Sequence, residues 1–370
     1  MSKAVEEGVG LVGRIDKFVK SGERIVMKPN VLVGTNPDKC VTTHPTLMIA
    51  MGQLLQKAGC DVYYGDSSSF GSAERNMRRA GFLQAAEAAA IKLADFDNGR
   101  LVVHKEAKLS KHLFIANGVL DTDGLVSLSK MKTHAMVRFT GAVKNQFGCI
   151  SGLQKTECHV RMPDPYDFAA MLVDINTFIK PRLYIMDGIM AMDGNGPRSG
   201  NPRKMGVLLF SSDPVALDSV ACKMIALEPD CVPTLAAGEI AGLGTYHFEN
   251  IEIVGEDVES FVDKDFNVIR TPPISIKGGR IRVFIRNRMA QRPVIDAKLC
   301  TKCGTCVDIC PVDPKAVMWS TEDKSKPPRH NYDCCIRCYC CQETCPAGAI
   351  IVKDTMPGRI FQRLNLVNRV

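Results

Sequence analysis

The sequence predicts an α/β domain with a mostly parallel sheet and helices on both faces, followed by a small α+β module. From residue 24 to about residue 255, short apolar runs alternate with helix-like segments. This alternation is typical of a parallel sheet that is covered on both faces. Ten of the sixteen cysteines then lie between Cys300 and Cys345. The chain of 370 residues therefore divides into a large domain and a cysteine-rich C-terminal module.

The alternating segments predict a definite order of elements. Proline is preferred in the first turn of a helix, so His44-Pro45 and Asp213-Pro214 mark helix starts, with Asp213 as an N-cap. The candidate strands are 25–27, 61–64, 124–128, 183–186, 207–210 and 251–254. The candidate helices are 46–57, 72–90, 166–179, 214–226 and 233–241.

The C-terminal module contains one cysteine pattern twice. Both runs read C-x2-C-x2-C-x3-C-P, and they are offset by 35 residues. This is the pattern of bacterial two-cluster ferredoxins, in which the fourth cysteine of each run crosses to the other cluster. We therefore predict two 4Fe-4S clusters. Their ligands are Cys300, Cys303, Cys306 and Cys345 for cluster 1, and Cys335, Cys338, Cys341 and Cys310 for cluster 2.

A pair of zinc sites is the alternative for these cysteines, because zinc sites also use C-x2-C. Zinc requires neither the third cysteine at this spacing nor the Cys-Pro step. Cys334 and Cys340 are surplus to the eight ligands. Cysteines at cluster spacing indicate a reducing compartment, so we expect a cytoplasmic protein, and the oxygen sensitivity of such clusters suggests an anaerobe.

The boundaries of the predicted segments follow changes in composition. Residues 1–255 form the α/β domain, 256–298 a basic β-rich connection, 299–356 the two-cluster domain and 357–370 a basic tail. The net charge of +7 is concentrated in the connection and the tail, which suits a solvated linker or a docking surface for an acidic redox partner. The basic residues are Lys277, Arg280, Arg282, Arg286, Arg288, Arg292, Lys298, Arg359, Arg363 and Arg369.

Three other classes of protein are not predicted. No apolar stretch approaches the length of about 18 residues that a membrane span needs. The N-terminus lacks the basic start and apolar core of a secretion signal. Apart from Phe284, aromatic residues do not alternate with the basic ones, so nucleic-acid binding is not expected.

Polar residues follow several predicted strands, where open α/β sheets bind their ligands. Lys28 and Asn30 end the first strand, and the small residues 65–69 follow the second. Small residues before a helix leave backbone N–H groups free for an anion, although plain helix capping explains them equally well. Neither a dinucleotide fingerprint nor a Walker loop is present, and the sequence shows no flavin or nicotinamide signature.

Further along the chain, Lys132, His134 and Lys144 offer two cations and one group that titrates near neutrality. They suit the binding of a carboxylate or phosphate and the movement of a proton. Solvated loop charge is the alternative. Asp187 and Asp193 suit a divalent metal or a general base, with an Asx-turn as the alternative. Metal binding at Cys158-His159 is a weak prediction, because no other residue nearby has ligand spacing.

These segments together resemble one known family, domain of unknown function 362. The resemblance implies an α/β domain fused to a two-cluster ferredoxin domain and implies no defined reaction. Related proteins usually have a strand and a helix before the Lys-Pro-Asn strand, so we expect a displaced start or a missing edge strand. The matching motifs are Lys28-Pro29-Asn30, Thr42-Thr43-His44-Pro45, Gly65-Asp66-Ser67, Lys132-Thr133-His134, Thr140-Gly141-Ala142-Val143-Lys144-Asn145, Gly194-Asn195-Gly196-Pro197 and Asp213-Pro214-Val215-Ala216-Leu217-Asp218.

The favoured function is a ferredoxin-coupled redox enzyme that acts on a small anionic substrate. One alternative is an electron carrier or docking component without chemistry of its own, and another is a non-redox enzyme with structural clusters. For the favoured function, the catalytic candidates are Lys132, His134, Lys144, Asn145, Asp187 and Asp193. The substrate-binding candidates are Lys28, Asn30, His44, Asp66, Ser67, Gly194 and Gly196.

Overall fold

The computed structural model describes residues 1–68, 71–152, 154–275, 284 and 287–358. Several residues singled out above lie outside this part of the chain. They are Ser69, Lys277, Arg280, Arg282, Arg286, Arg359, Arg363 and Arg369.

Strands and helices alternate through the first domain as predicted. The strands are β1 (Arg24–Pro29), β2 (Asp61–Tyr64), β3 (Lys92–Leu93), β4 (Gly99–Val103), β5 (His112–Ala116), β6 (Gly124–His134), β7 (Arg138–Thr140), β8 (Leu183–Asp193) and β9 (Asn201–Ser211). The helices are α1 (Ser2–Leu11), α2 (Pro45–Lys57), α3 (Ala73–Arg79), α4 (Phe82–Ala88), α5 (Asn117–Leu120), α6 (Ala142–Asn145), α7 (Gln154–Arg161), α8 (Pro165–Ile179), α9 (Pro214–Met224) and α10 (Pro233–Ile240).

The main sheet is mixed but mostly parallel, with the order β3-β2-β1-β6-β8-β9. The first five strands of this order run parallel, whereas β9 is an antiparallel edge and β7 pairs antiparallel with β6. Strands β4 and β5 form a separate hairpin. The predicted fold class is confirmed for this domain.

Helices cover both faces of the sheet because successive side chains of a strand point to opposite faces. Ile25 and Met27 of β1 pack with α1 and α2 in one buried cluster. Tyr184 and Met186 of β8 pack with α8, α9 and α10 in another. Asp213 caps α9 by accepting hydrogen bonds from two backbone N–H groups, as predicted.

Four strands are longer than predicted, namely β1, β6, β8 and β9. β6 continues through the segment 129–134, so the alternative of solvated loop charge is wrong for Lys132 and His134. The side chains of Lys130 and Lys132 are both buried, and each has a partner: Lys130 forms an ion pair with Asp187, and Lys132 donates to Asn30. β8 likewise extends to Asp193. The polar groups of β6 and β8 therefore belong to the sheet itself.

Three predicted elements differ from the structure. The predicted helix 72–90 is two helices, α3 and α4, which are separated at Gly81 in the left-handed region at φ 76°. The predicted strand 251–254 has no strand partner in the described structure. The connection 256–298 is not β-rich where it is described: it contains a 3-10 turn, Val258–Phe261, and the strand β10 (Arg292–Ile295).

The strand β10 belongs to the C-terminal module, since it pairs with β13 (Ile350–Lys353). A second small ladder joins β11 (Val317–Met318) to β12 (Arg329–His330). Two short helices, Thr305–Asp308 and Cys340–Thr344, complete the described module. Among the described residues, no helix combines the length and the apolar character that crossing a membrane requires.

Candidate functional site

The eight cysteines of the repeat surround two cavities in the C-terminal module. The fourth cysteine of each run lies with the first three of the other run. One cavity, with about 330 Å³ of space that is partly open to solvent, is lined by Cys300, Cys303, Cys306 and Cys345. The other, with about 310 Å³ of such space, is lined by Cys310, Cys335, Cys338 and Cys341.

The residues around these cavities fit a four-iron cluster in each. A backbone N–H donates to the fourth cysteine of each run, from Ala316 to Cys310 Sγ at 3.2 Å and from Ala349 to Cys345 Sγ at 3.3 Å. Such donors stabilise thiolate ligands of iron–sulfur clusters. In the described part of the chain, no three His, Cys, Asp or Glu side chains converge as a single metal ion would require.

The second half of the module is packed against the α/β domain. Tyr339 occupies the position equivalent to Gly304 of the first half, and both have a left-handed backbone, with φ 62° at Tyr339. The ring of Tyr339 is buried in the core of the α/β domain. Gln342 Nε2 donates to the carbonyl oxygens of Asn195 and Gly196, both at 3.0 Å. The loop at 194–197 therefore docks the module.

A cleft lies between the two domains, with about 630 Å³ of space that is partly open to solvent. It brings several predicted site residues together beside the cysteine module. The α/β domain contributes Lys28, Asn30, Asp66, Ser67, Lys144, Asn145, Lys155 and His159. The module contributes Ile309, Cys340, Glu343 and Thr344.

The floor of the cleft is a buried ion pair. Lys28 Nζ lies 2.7 Å from Asp66 Oδ1 and donates to Asn145 Oδ1 at 2.9 Å. The other oxygen of Asp66 accepts from the backbone N–H of Val31 at 2.8 Å. Gly148 lies against the pair, and a Cβ there would clash with Asp66 Oδ1. Only a residue without a side chain fits this contact, so the floor is tightly packed.

Lys132 lies behind the cleft and does not line it. Its ammonium donates to Asn30 Oδ1 and to the carbonyl oxygen of Val41, both at 2.7 Å. Burial lowers the pKa of Lys132 well below its usual value, and the charge of Lys144 adds to this effect. Asn30 in turn donates to Asn145 Oδ1 at 3.2 Å. Lys132 thus orients the two asparagines that face the cleft.

His134 is held in one tautomer and contacts the module. Its Nδ1 accepts from the backbone N–H groups of Met136 and Val137, at 3.1 and 3.4 Å, so the ring proton is assigned to Nε2. Nε2 lies 2.9 Å from Glu343 Oε1. Burial, together with the charge of Lys144, lowers the pKa of His134 to about 4. Burial opposes ionisation of Glu343, but His134 and Lys144 outweigh it and lower the pKa of Glu343 to about 2.

Lys144 and Lys155 are the two further cations of the cleft. The ammonium of Lys144 has no hydrogen-bond acceptor among the described residues and interacts electrostatically with Glu343 and Cys340. Burial lowers the pKa of Lys144, and it lowers the pKa of Lys155 to about 8 although Asp66 opposes this. The cleft has a formal charge of +1. Its three positive charges are those of Lys28, Lys144 and Lys155, and its two negative charges are those of Asp66 and Glu343.

The remaining predicted site residues lie outside the cleft, in supporting contacts. Asp187 binds Lys130 at 2.8 Å and the backbone N–H of His44 at 2.9 Å, while the His44 side chain caps α2. Asp193 accepts from the backbone N–H of Asn267 at 3.2 Å. Gly194 and Gly196 belong to the docking loop, and Gly194 has φ 72°. The structure therefore does not place these residues with Lys144.

Comparison with known sequences identifies the family of the large domain. The family model described as a domain of unknown function (DUF362) matches residues 25–223. The chain belongs to the DUF362 family. A 4Fe-4S dicluster domain matches residues 292–348, which supports an iron–sulfur electron-transfer role for this DUF362 protein.

Two curated relatives match different parts of this DUF362 protein. A thylakoid-associated protein of Synechocystis is 39% identical over 233 residues, which are 63% of this chain and 72% of that protein. An uncharacterized ferredoxin of Methanocaldococcus jannaschii is 32% identical over 77 residues, which are 21% of this chain and 97% of that ferredoxin. The ferredoxin matches through the cysteine-rich module.

One solved structure shares a distant likeness. The lactate racemase apoprotein from Thermoanaerobacterium thermosaccharolyticum has 14% identity and a TM-score of 0.43. The match covers 59% of this chain and 53% of that one, so the DUF362 protein spans about half the length of that structure.

Several cleft residues of this DUF362 protein were not predicted from the sequence, among them Glu343, Lys155 and His159. Glu343 stands between two cluster cysteines, and Lys155 and His159 lie on α7. Only the fold brings them to Lys144. His159 was considered only as a weak metal ligand; its ring stacks on Phe168 with centroids 4.6 Å apart, and its Nδ1 has no hydrogen-bond partner among the described residues.

We expect His159 to make the protein less stable in acid. Burial lowers its pKa from 6.5 to about 4, although Glu343 opposes this effect. The unfolded chain takes up a proton near pH 6.5 and the folded chain only near 4, so stability is lost as the pH falls between these values. The loss reaches about 3 kcal/mol near pH 4, because a tenfold difference in proton affinity between the folded and unfolded chains corresponds to about 1.4 kcal/mol.

Anaerobic thermal unfolding between pH 7 and 5 measures this effect. The His159→Phe variant should lose less of its Tm over this range than the wild type, whereas His112→Gln, at an exposed position, should behave as the wild type. An equal decrease in Tm in all three proteins would show that His159 does not cause the loss of stability in acid.

Proposed function

We propose that this DUF362 protein is an iron–sulfur redox enzyme that reduces a small anionic substrate in the cleft between its two domains. One observation carries the proposal: Lys144, a cation without a hydrogen-bonded partner among the described residues, shares the cleft with Cys340 of the cluster-binding module. Cys340 directly precedes Cys341, a proposed ligand of cluster 2 that lines its cavity. An anion beside Lys144 would thus lie close to cluster 2.

The electrostatics of the cleft favour an anion. A partly buried ammonium loses hydration, and an anionic ligand restores the lost stabilisation. Lys28 is already neutralised by Asp66, and Lys155 donates to the carbonyl oxygen of Ser67. Lys144 therefore remains as the cation that is available to the substrate, with the amide of Asn145 beside it.

The proposed chemistry divides between the cofactors and the side chains. Each 4Fe-4S cluster, when bound, takes up and passes on one electron at a time. A two-electron reduction of the substrate consumes two protons and two electrons. A carrier protein delivers the electrons one at a time. Lys144, with its lowered pKa, supplies one proton from its ammonium and regains it from solvent, which supplies the other. Glu343, held by His134, keeps the ammonium oriented.

The ligand sets of the two clusters are part of the same proposal. Cluster 1 takes Cys300, Cys303, Cys306 and Cys345, and cluster 2 takes Cys310, Cys335, Cys338 and Cys341. A reducing compartment such as the cytoplasm suits the chain, since none of its sixteen cysteines forms a disulfide. The redox partner is a protein that delivers single electrons.

The proposal is tested by reoxidation of reduced protein. Protein purified without oxygen is reduced with dithionite, freed of reductant and mixed with the low-mass anionic fraction of an anaerobic bacterial extract, while cluster absorbance is followed. We expect the fraction to reoxidise the wild type, and Lys144→Met to slow the reaction at least about tenfold, as loss of one charge-assisted contact would.

Two further variants control this experiment. Lys144→Arg should retain part of the rate because it keeps the charge, and Lys180→Met, at an exposed position, should behave as the wild type. Equal rates for wild type and Lys144→Met would rule out Lys144 as the binding group. Reoxidation by the neutral fraction alone would rule out an anionic substrate.

A further inference from the structure

The two halves of the cysteine module differ in their exposure. The loop 301–303 of the first half is exposed, including Cys303, whereas Cys335, Arg337 and Cys338 of the second half are buried against the α/β domain. Cluster 1 would therefore lie near the surface and cluster 2 against the α/β domain. Ile309 and Cys340, the chain neighbours of the cluster 2 ligands Cys310 and Cys341, line the cleft. The repeat is symmetrical in sequence but not in surroundings.

One pair of equivalent residues differs sharply between the halves. Lys302 and Arg337 each precede the second cysteine of their run, and both have left-handed backbones, with φ 56° and 61°. Lys302 is exposed and donates to the carbonyl oxygen of Ser325 at 3.1 Å. Arg337 as a whole is 5% exposed, and its guanidinium donates through NH1 to the carbonyl oxygen of Cys335 at 3.1 Å.

The remaining donors of Arg337 have no hydrogen-bond acceptor among the described residues. Its Nε and NH2 atoms are both buried and unpaired. The guanidinium carbon lies 5.1 Å from the ring centroid of Tyr332, which stabilises the charge but accepts none of these hydrogen bonds. A buried guanidinium therefore still needs negative charge or acceptors nearby. A cluster bound by four thiolates next to Cys335 supplies that negative charge, and the charge grows when the cluster is reduced.

The other hydrogen bonds to the two clusters are matched. Each fourth cysteine accepts one backbone N–H, as described above. Each cluster also has one side-chain neighbour at a ligand sulfur: Thr305 Oγ1 lies 3.3 Å from Cys303 Sγ, and His330 Nε2 lies 3.5 Å from Cys341 Sγ. Cluster 1 also has a neighbouring cation, since the half-buried Arg198 interacts electrostatically with Cys345 and Cys303. The two clusters therefore differ in that Arg337, at 5% exposure, is almost fully buried beside cluster 2.

We propose that Arg337 raises the midpoint potential of cluster 2 above that of cluster 1, so that electrons are received at cluster 1 and collect at cluster 2 beside the cleft. Burial of cluster 2 disfavours the negative charge that reduction adds and so lowers its potential. The cation of Arg337 opposes this effect, because its attraction is little screened in the same water-poor surroundings. This inference deepens the proposed function and rests on it for the direction of electron flow.

Each transfer in this scheme moves a single electron. A one-electron carrier protein is oxidised as cluster 1 is reduced, and cluster 1 is reoxidised as cluster 2 is reduced, with no bond formed or broken and no proton moved. Lys302 lies in the exposed loop 301–303, and the exposed residues Lys298 and Leu299 lie just before that loop. Such a surface suits a carrier with an acidic face.

An anaerobic redox titration followed by EPR tests the inference without any substrate. The wild type should show two midpoint potentials. Arg337→Gln should lower the higher midpoint potential by at least about 59 mV, which corresponds to a tenfold change in the equilibrium constant of a one-electron couple. The lower midpoint potential should not change. Lys302→Gln should leave both nearly unchanged. Arg337→Lys should keep most of the wild-type difference.

The Cys338→Ala variant assigns the two EPR signals to the two clusters. It should lack cluster 2 and therefore the signal with the higher midpoint potential. If Arg337→Gln fails to assemble cluster 2, the Arg337→Lys titration decides. Equal potentials in the wild type, or a lower potential for cluster 2, would overturn the inference. A failure here would leave the reoxidation results for Lys144 untouched, so the two proposals can fail separately.

Discussion

Replacing Lys28 by methionine is expected to reduce the free energy of unfolding by about 3–5 kcal/mol, because removal of one partner leaves the other charge buried and uncompensated. The Lys28 and Asp66 side chains are 1% and 3% exposed, and the pair closes the floor of the cleft. Anaerobic urea unfolding, followed by far-ultraviolet circular dichroism, measures the loss.

Two matched variants show whether burial is the cause. Lys92→Met removes a similar pair with Asp61 whose side chains are 57% and 38% exposed, and it should change stability little. The double variant Lys28→Met with Asp66→Leu should recover part of the loss, because it leaves no unpaired charge. If Lys28→Met were as stable as Lys92→Met, the buried pair would not stabilise the fold.

Local signals in the sequence were sufficient for several parts of the structure. Proline after His44 and Asp213 marks two helix starts, because proline fits the first turn and both preceding residues cap the helix. The apolar runs at 25–27 and 183–186 lie in parallel strands of the main sheet. These features depend on neighbouring residues alone.

Features that depend on distant partners were not predictable. The burial of Lys130 and Lys132 in β6 was not predicted. A charged residue is buried only with a partner, and their partners Asp187 and Asn30 are far away in sequence. Glu343 became a cleft residue only through contact with His134 across the two domains. No local pattern distinguishes it from a solvated glutamate.

The second large effect is expected from Cys338→Ala, which should lose cluster 2 and about half of the bound iron. Cys338 lines the cavity of cluster 2 with three other cysteines, and a cubane cluster requires four ligands. Iron analysis and EPR of anaerobically purified protein measure the loss. Cys334→Ala is the control, because Cys334 does not line that cavity and its variant should keep all of the iron.

The neighbouring variant Cys335→Ala tests how strictly the ligands are fixed. Cys334 directly precedes Cys335, so a slip of one residue could bring it to the cluster. We expect an altered but retained cluster 2 signal in Cys335→Ala. Complete and identical loss in Cys335→Ala and Cys338→Ala would exclude the slip.

The most direct test of electron delivery to the cleft is the reoxidation of reduced Cys338→Ala protein by the anionic low-mass fraction. We expect that dithionite still reduces cluster 1 but that the fraction no longer reoxidises it at the wild-type rate, because electrons reach the cleft through cluster 2. Reoxidation at the wild-type rate by protein that holds cluster 1 alone would contradict this path.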